Sequence, residues 1–375
     1  MIRIGITIAA LLAAGPAEAQ VRRFQFAGPA EPGAAQVAPG IPYTGDFGFE
    51  PGFPQRFSVA LPEGNYRVTV TIGDRRAPSD ATIKAEARRL MLQDVAVPRG
   101  KFVTRSFVVN IRTPALLAPP ENAPGGAAVR LNKRETGSPT WDEKLTLEFD
   151  GTAPHVVALA IEPATVPTVF LFGDSTVTDQ RCEPGASWGQ MLPAFMGPDV
   201  AVANHAESGE TLKSFLTGLR LDKALGAMKP GDFALIQFGH NDQKEQWPQT
   251  FVAAATTYRS YLRTYVDEVR RRGGTPILVT SPERRNFNPD GSIRGTLTAY
   301  AEAMRAVAAE EKVQLIDLNA MSATFYEALG PGQAPLAALL APGLTQFDPA
   351  HPIPPGDFRL AASPPCAATP PLAGN

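Results

Sequence analysis

The stretch Thr168-Val169-Phe170-Leu171-Phe172-Gly173-Asp174-Ser175-Thr176 decides the reading of this chain. Its first five residues form a near-continuous run of β-branched and aromatic side chains, the pattern of a strand covered on both faces. Gly-Asp-Ser then breaks the strand and leaves a serine just past its carboxyl end. Three similar apolar runs follow, Phe233-Ala234-Leu235-Ile236-Gln237-Phe238, Pro276-Ile277-Leu278-Val279-Thr280 and Val313-Gln314-Leu315-Ile316-Asp317, with Val200-Ala201-Val202-Ala203 as a weaker fifth. Helical patterns separate them over residues 211–228, 250–272 and 296–311, with Thr250 and Thr296 placed as N-caps. Alternation of strand and helix predicts an α/β fold, a parallel sheet with helices on both faces.

Upstream of residue 165 the rhythm is different. Arg56-Phe57-Ser58-Val59-Ala60-Leu61, the run from Tyr66 to Ile72, Phe107-Val108-Val109-Asn110-Ile111, Leu145-Thr146-Leu147-Glu148-Phe149 and the run from Val156 to Ile161 are short, β-rich and bounded by Gly, Pro and Asp. They predict an all-β, antiparallel sandwich over residues 20–162. The Pro/Gly-rich residues 116–127 read as a surface loop inside it. Residues 1–19 have the form of a signal peptide, with Arg3, an apolar run from Ile4 to Ala14 and Ala17-Glu18-Ala19 at the cleavage site. Bacterial export to the periplasm or medium is the expectation.

Composition closes off several classes. With 44% hydrophobic and 19% charged residues the 375-residue chain is an ordinary folded protein, and its net charge of −2 offers no field for nucleic acid and no polybasic patch for a membrane. No segment after the signal is long and apolar enough to span a bilayer. The four histidines lie far apart and no Cys/His cluster has zinc spacing, so neither metal nor cofactor is expected. Cys182 and Cys366 can form one disulfide in an exported protein.

The chemistry lies in four segments: Gly173-Asp174-Ser175-Thr176, the lone Gly209, Gly239-His240-Asn241-Asp242 and Asp348-Pro349-Ala350-His351. Each is predicted just past the carboxyl end of a strand or beyond the last one, the edge at which open α/β sheets bind ligands. A serine, read here as standing in the first turn of a helix, has N–H groups nearby for a developing oxyanion. A loop glycine allows close backbone approach, an Asn amide donates without charge, and an aspartate three residues from a histidine can orient it as a base. Taken singly, each feature is also an ordinary turn or loop residue, and His155 and His205 read as structural.

The order Gly-Asp-Ser, Gly, Gly-x-Asn-Asp, Asp-x-x-His resembles the SGNH or GDSL hydrolases. Phe172-Gly173-Asp174-Ser175-Thr176 and Phe238-Gly239-His240-Asn241-Asp242 resemble their rhamnogalacturonan acetylesterase branch. That resemblance implies a flavodoxin-like catalytic domain over residues 166–351, preceded by a galactose-binding-like sandwich. It implies Ser175 as nucleophile, His351 as base oriented by Asp348, and an oxyanion hole from the N–H groups of Ser175 and Gly209 and the Asn241 amide. Asp174 and His240 would line the substrate site. The implied activity is removal of O-acetyl groups from pectic polysaccharide through an acetyl-serine intermediate. The alternatives are a lipase or arylesterase acting on other acyl esters, and a glycan-binding protein with an inactive hydrolase part. Trp188, Trp247 and Tyr258 are candidate sugar platforms, with core packing expected for at least two. Residues 352–375 hold seven prolines and no helical pattern, unlike the terminal helix the resemblance implies. The whole candidate site lies downstream of Thr165, so that part of the chain is expected to carry the chemistry alone.

Overall fold

The computed structural model describes residues 21–340, apart from 118, 120–123 and 183–184. The signal segment, Asp348, His351, Cys366 and the Pro-rich tail lie outside the described residues.

Two five-stranded sheets, almost wholly antiparallel, build the first part. One runs Ala35–Gln36, Arg22–Gln25, Val156–Pro163, Gly64–Gly73, Phe102–Ile111 across its width, and the other Phe47–Glu50, Phe53–Ala60, Lys144–Ala153, Ser79–Ala85, Arg89–Val97. Alternation does the work: Tyr66, Val68, Val70 and Ile72 point inward from one strand and meet Phe57, Val59, Ile83, Leu145 and Leu147 of the facing sheet in one core. All five strands expected from sequence are present.

The second part is one parallel sheet in the order Ala201–Asn204, Thr168–Gly173, Phe233–Gln237, Thr275–Val279, Gln314–Ile316. Numbered along the chain this is 2-1-3-4-5, the flavodoxin-like order, whose switch point lies between the first and third strands. Every residue of Thr168–Gly173 is buried. Phe170 and Phe172 enter a core with Phe215, Leu262, Tyr265, Met304 and Val307, while Val169 and Leu171 face Val177, Val202 and Trp188 on the other side. Helices therefore cover both faces.

The helices start later than the sequence suggests. Thr211 caps Leu212–Thr217 through a reciprocal bond with Ser214, and the chain breaks at Leu219 (φ 63°) before resuming as Arg220–Ala227. Residue 250 is not a cap, because the long helix Arg259–Arg271 is entered through a π-turn at Ala254–Tyr258. Thr296 instead donates to Glu283, and its helix is Thr298–Glu311. After the last strand, Leu318–Leu340 runs as two helical pieces meeting at Gly330.

The junction between the two parts is polar and buried. Arg89 pairs with Asp179 at 2.6 Å with both side chains at most 2% exposed, and Arg220 pairs with Glu135 with both at most 1% exposed. Asn65 donates to Thr168 at 2.9 Å, Gln190 donates to the carbonyl of Ala87 at 3.0 Å, and Lys223 reaches Glu63 at 2.7 Å. A small apolar contact of Val108, Val166 and Ala201 sits among them.

Candidate active site

Ser175 stands on a single turn after the first parallel strand, closed by the N–H groups of Val177 and Thr178 on the carbonyl of Asp174. It is not the first turn of a helix, as the sequence suggested: the turn ends by Thr178 and the next helix begins only at Trp188, capped by Ser187. Asp174 is fully buried, and its Oδ1 accepts from both the N–H (3.0 Å) and the hydroxyl (2.9 Å) of Thr176. Its carboxylate thus braces the turn that presents Ser175. Gln180 closes the other side by donating to the carbonyl of Ser175 at 2.7 Å.

Gly209 occupies the third position of a turn from Glu207 to Glu210, closed by the Glu210 N–H on the Glu207 carbonyl at 3.2 Å, with φ +89°. That left-handed conformation suits glycine and costs any other residue. The Glu207 N–H bonds the carbonyl of Gly173, so the turn hangs beside the Ser175 strand. Asn241 donates Nδ2 to the carbonyl of Glu210 at 3.1 Å and accepts Lys244 Nζ on Oδ1 at 2.8 Å. Asp242 accepts the Leu212 N–H at 3.0 Å. Three segments far apart in sequence are thereby bonded to one another at the carboxyl edge of the sheet, around its switch point.

Electrostatics separates the remaining candidates. His240 is buried, and its Nε2 faces the carbonyl of Pro282 at 2.8 Å; burial holds the imidazole below its ordinary value despite the pull of Asp174. Its Nε2 proton is committed to backbone, which suits a bracing role. Burial pushes Asp242 up to about 8, with the charge of Asp174 adding to it. Burial and the repulsion of Arg284 lower Lys244. Burial opposes the charge on Glu207, but Arg181 and Arg134, one on each carboxylate oxygen, hold it below the usual range. His205 is packed against Trp141 and Phe170, and burial drives it well below its ordinary value. Of the three candidate platforms, Tyr258 is buried, Trp188 donates its indole N–H to Gln237 at 2.7 Å, and Trp247 is 52% exposed with Lys244 4.7 Å above its ring. Lys244, three residues from Asn241, was within reach of sequence reasoning. Arg134 and Glu207 were not, since nothing local marks a contact 73 residues apart.

The sequence profile of the GDSL-like lipase/acylhydrolase family matches residues 171–357. Rhamnogalacturonan acetylesterase RhgT of Bacillus subtilis is 41% identical over 168 residues, covering 44% of this chain and 71% of its own. The chain belongs to the GDSL-like lipase/acylhydrolase family. As a member it is a serine carboxylic-ester hydrolase. A second relative from the same organism, the probable rhamnogalacturonan acetylesterase YesY, is 32% identical over 182 residues, 48% of this chain and 82% of its own. The uncharacterized esterase YxiM, again from B. subtilis, is 27% identical over 280 residues, 73% of this chain and 65% of its own. Its solved structure aligns over 87% of this chain and 93% of its own at 25% identity and a TM-score of 0.45. The family match ends upstream at residue 171, so the sandwich and the 112–143 segment lie outside it.

Proposed function

We propose that this GDSL-family hydrolase removes O-acetyl groups from pectic polysaccharide, with acetylated rhamnogalacturonan as substrate, after export directed by residues 1–19. The observation that carries the reading is the mutual bonding of the Ser175, Gly209 and Asn241 segments at the sheet's switch point. Relatives named rhamnogalacturonan acetylesterases support the substrate class.

In this reading Ser175 Oγ attacks the acetyl carbonyl while its proton passes to His351, oriented by Asp348. The carbonyl oxygen becomes an oxyanion and is met by the N–H groups of Ser175 and Gly209 and by Asn241 Nδ2. Collapse breaks the ester C–O bond, His351 returns the proton to the departing sugar hydroxyl, and acetyl-Ser175 remains. Water, deprotonated by the same histidine, then releases acetate and restores the hydroxyl. Trp247, exposed and joined to Asn241 through Lys244, offers an aromatic face to a sugar ring. Residues 20–162 act as the galactose-binding-like sandwich and 166–351 carry the chemistry.

The test is acetate release from acetylated rhamnogalacturonan fragments by the full mature chain, with acetylated xylan beside it. Ser175→Ala is expected to lose turnover on the order of 10³-fold or more on either polymer. Wild-type enzyme that releases acetate from xylan as fast as from the pectic fragments refutes the substrate assignment.

A further inference from the structure

Two of the three amides that the proposed function places at the oxyanion have a cation bonded to their oxygen, whereas the third, the peptide joining Asp174 to Ser175, has its carbonyl held by the N–H groups of Val177 and Thr178. The first is the peptide joining Ser208 to Gly209. Its N–H is the Gly209 donor, and its carbonyl, that of Ser208, accepts a hydrogen bond from Arg134 Nη2. The second is the Asn241 side chain, whose Oδ1 accepts Lys244 Nζ at 2.8 Å while Nδ2 holds the Glu210 carbonyl. We propose that Arg134 and Lys244 are positioning residues of the esterase, acting through these two amides to aim and polarise the donors that meet the oxyanion. The inference rests on the assignment of Gly209 and Asn241 as oxyanion donors.

The physical argument is the same for both. A trans amide is planar, so fixing its C=O fixes the direction of its N–H. A cationic donor on the oxygen draws electron density through the conjugated unit and strengthens the N–H as a donor, as happens along any hydrogen-bonded chain in a low-dielectric setting. Donors held before the reaction need no reorganisation during it.

Arg134 is itself held for the task. Its Nε donates to Glu207 Oε1 at 2.7 Å, and Arg181, six residues after Ser175, donates to the other oxygen at 2.7 Å. Glu207 is 1% exposed and therefore a rigid anchor, whereas Arg134 is half exposed and reaches the turn from outside. A Cβ built on Gly209 would stand 3.7 Å from Arg134 Nη2. Arg134 belongs to the segment between strands Phe102–Ile111 and Lys144–Ala153, upstream of the family match at residues 171–357. The first part of the chain thus supports the chemistry of the second. A chain beginning near Thr165 lacks this arginine.

The experiment measures kcat and KM of the full mature chain on 4-nitrophenyl acetate, which needs no glycan recognition. Arg134→Met and Lys244→Met are each expected to lower kcat about 10-fold with KM within about twofold, a fraction of the 10²- to 10³-fold lost when a donor itself is deleted. Arg134→Lys should recover most of the rate, and added guanidinium should restore part of it to Arg134→Ala. Lys244→Met should cost nothing further in an Asn241→Ala background, because the amide it acts through is gone. Unchanged kcat in both methionine variants, a defect confined to KM, or an equal loss from Lys244→Met with and without Asn241 overturns the proposal. Ser175→Ala and Asn241→Ala run alongside: wild-type turnover in either refutes the underlying site assignment, a result distinct from inactive Ser175→Ala and Asn241→Ala with fully active methionine variants.

Discussion

Glu135→Gln changes one atom at the buried junction and is expected to cost several kcal/mol. The Glu135 side chain is 1% exposed and receives three donors: Oε2 takes Arg220 and the Asn132 N–H at 2.9 Å, and Oε1 takes the Trp141 indole N–H at 3.0 Å. Arg220 adds charge to that geometry, and its side chain has no exposure. A glutamine keeps one acceptor oxygen and turns an NH₂ toward the other donors. Whichever way it flips, a buried N–H faces a buried N–H, which costs about 1–3 kcal/mol. Stripping a buried guanidinium of its partner costs about 3–5 kcal/mol when no other remains; here Glu210 remains at 3.2 Å, so the low end applies. The two contributions overlap, giving about 3–4 kcal/mol, or a fall in melting temperature of about 5 °C for a chain of this size. Thermal melting followed by near-UV circular dichroism at pH 7 measures it. The Glu135→Gln/Arg220→Met double variant should recover part of the loss, because the guanidinium is then no longer buried beside an amide. A midpoint within about 2 °C of wild type refutes the claim that this buried pair is desolvated.

Two further outcomes follow from the same structure. Burial raises Glu86 and Asp242 each to about 8 and Asp142 to about 7, from ordinary values of 4.5, 3.8 and 3.8. Raised carboxyl values mean that the folded chain holds these protons more tightly than the unfolded one, so this stabilisation is complete below about pH 4 and is lost as pH rises through about 7 to 8. The melting temperature should fall between pH 5 and pH 8.5, and Glu86→Gln should flatten that slope; an unchanged slope assigns it elsewhere. Gly209→Ala forces a side chain into φ +89°, at a cost of about 1–2 kcal/mol, while its Cβ meets Arg134 only at ordinary contact distance. The expected result is a kcat on 4-nitrophenyl acetate lowered about 10-fold as the turn relaxes, and an unaffected kcat excludes this turn from the site.

What could be read from sequence follows from where the physics is local. Thr168–Gly173 is legible because a strand covered on both faces must be apolar at every position, and a motif placed at its end inherits a known location. Ser79–Ala85 and Arg89–Val97 escaped notice for the opposite reason. They place Lys84 and Arg89 in the interior, and such residues read as solvent-facing until their partners are seen: Asp150 at 2.7 Å from Lys84, and Asp179 at 2.6 Å from Arg89. The candidate site divides along the same line. Ser175, Gly209 and Asn241 sit at strand ends in short motifs, so their types and spacing point to an acyl-transfer site. The turn under Ser175 was misread as a helix because a single turn closed on the Asp174 carbonyl looks, in a short motif, like the start of one. Arg134 has no local signature, because the Ser208 carbonyl it holds is brought to it by the folding of two layers. A donor amide can be recognised from its own segment, whereas the charge behind it depends on tertiary packing, and a sequence pattern limited to the hydrolase part finds the donors while leaving out an arginine that orients one of them.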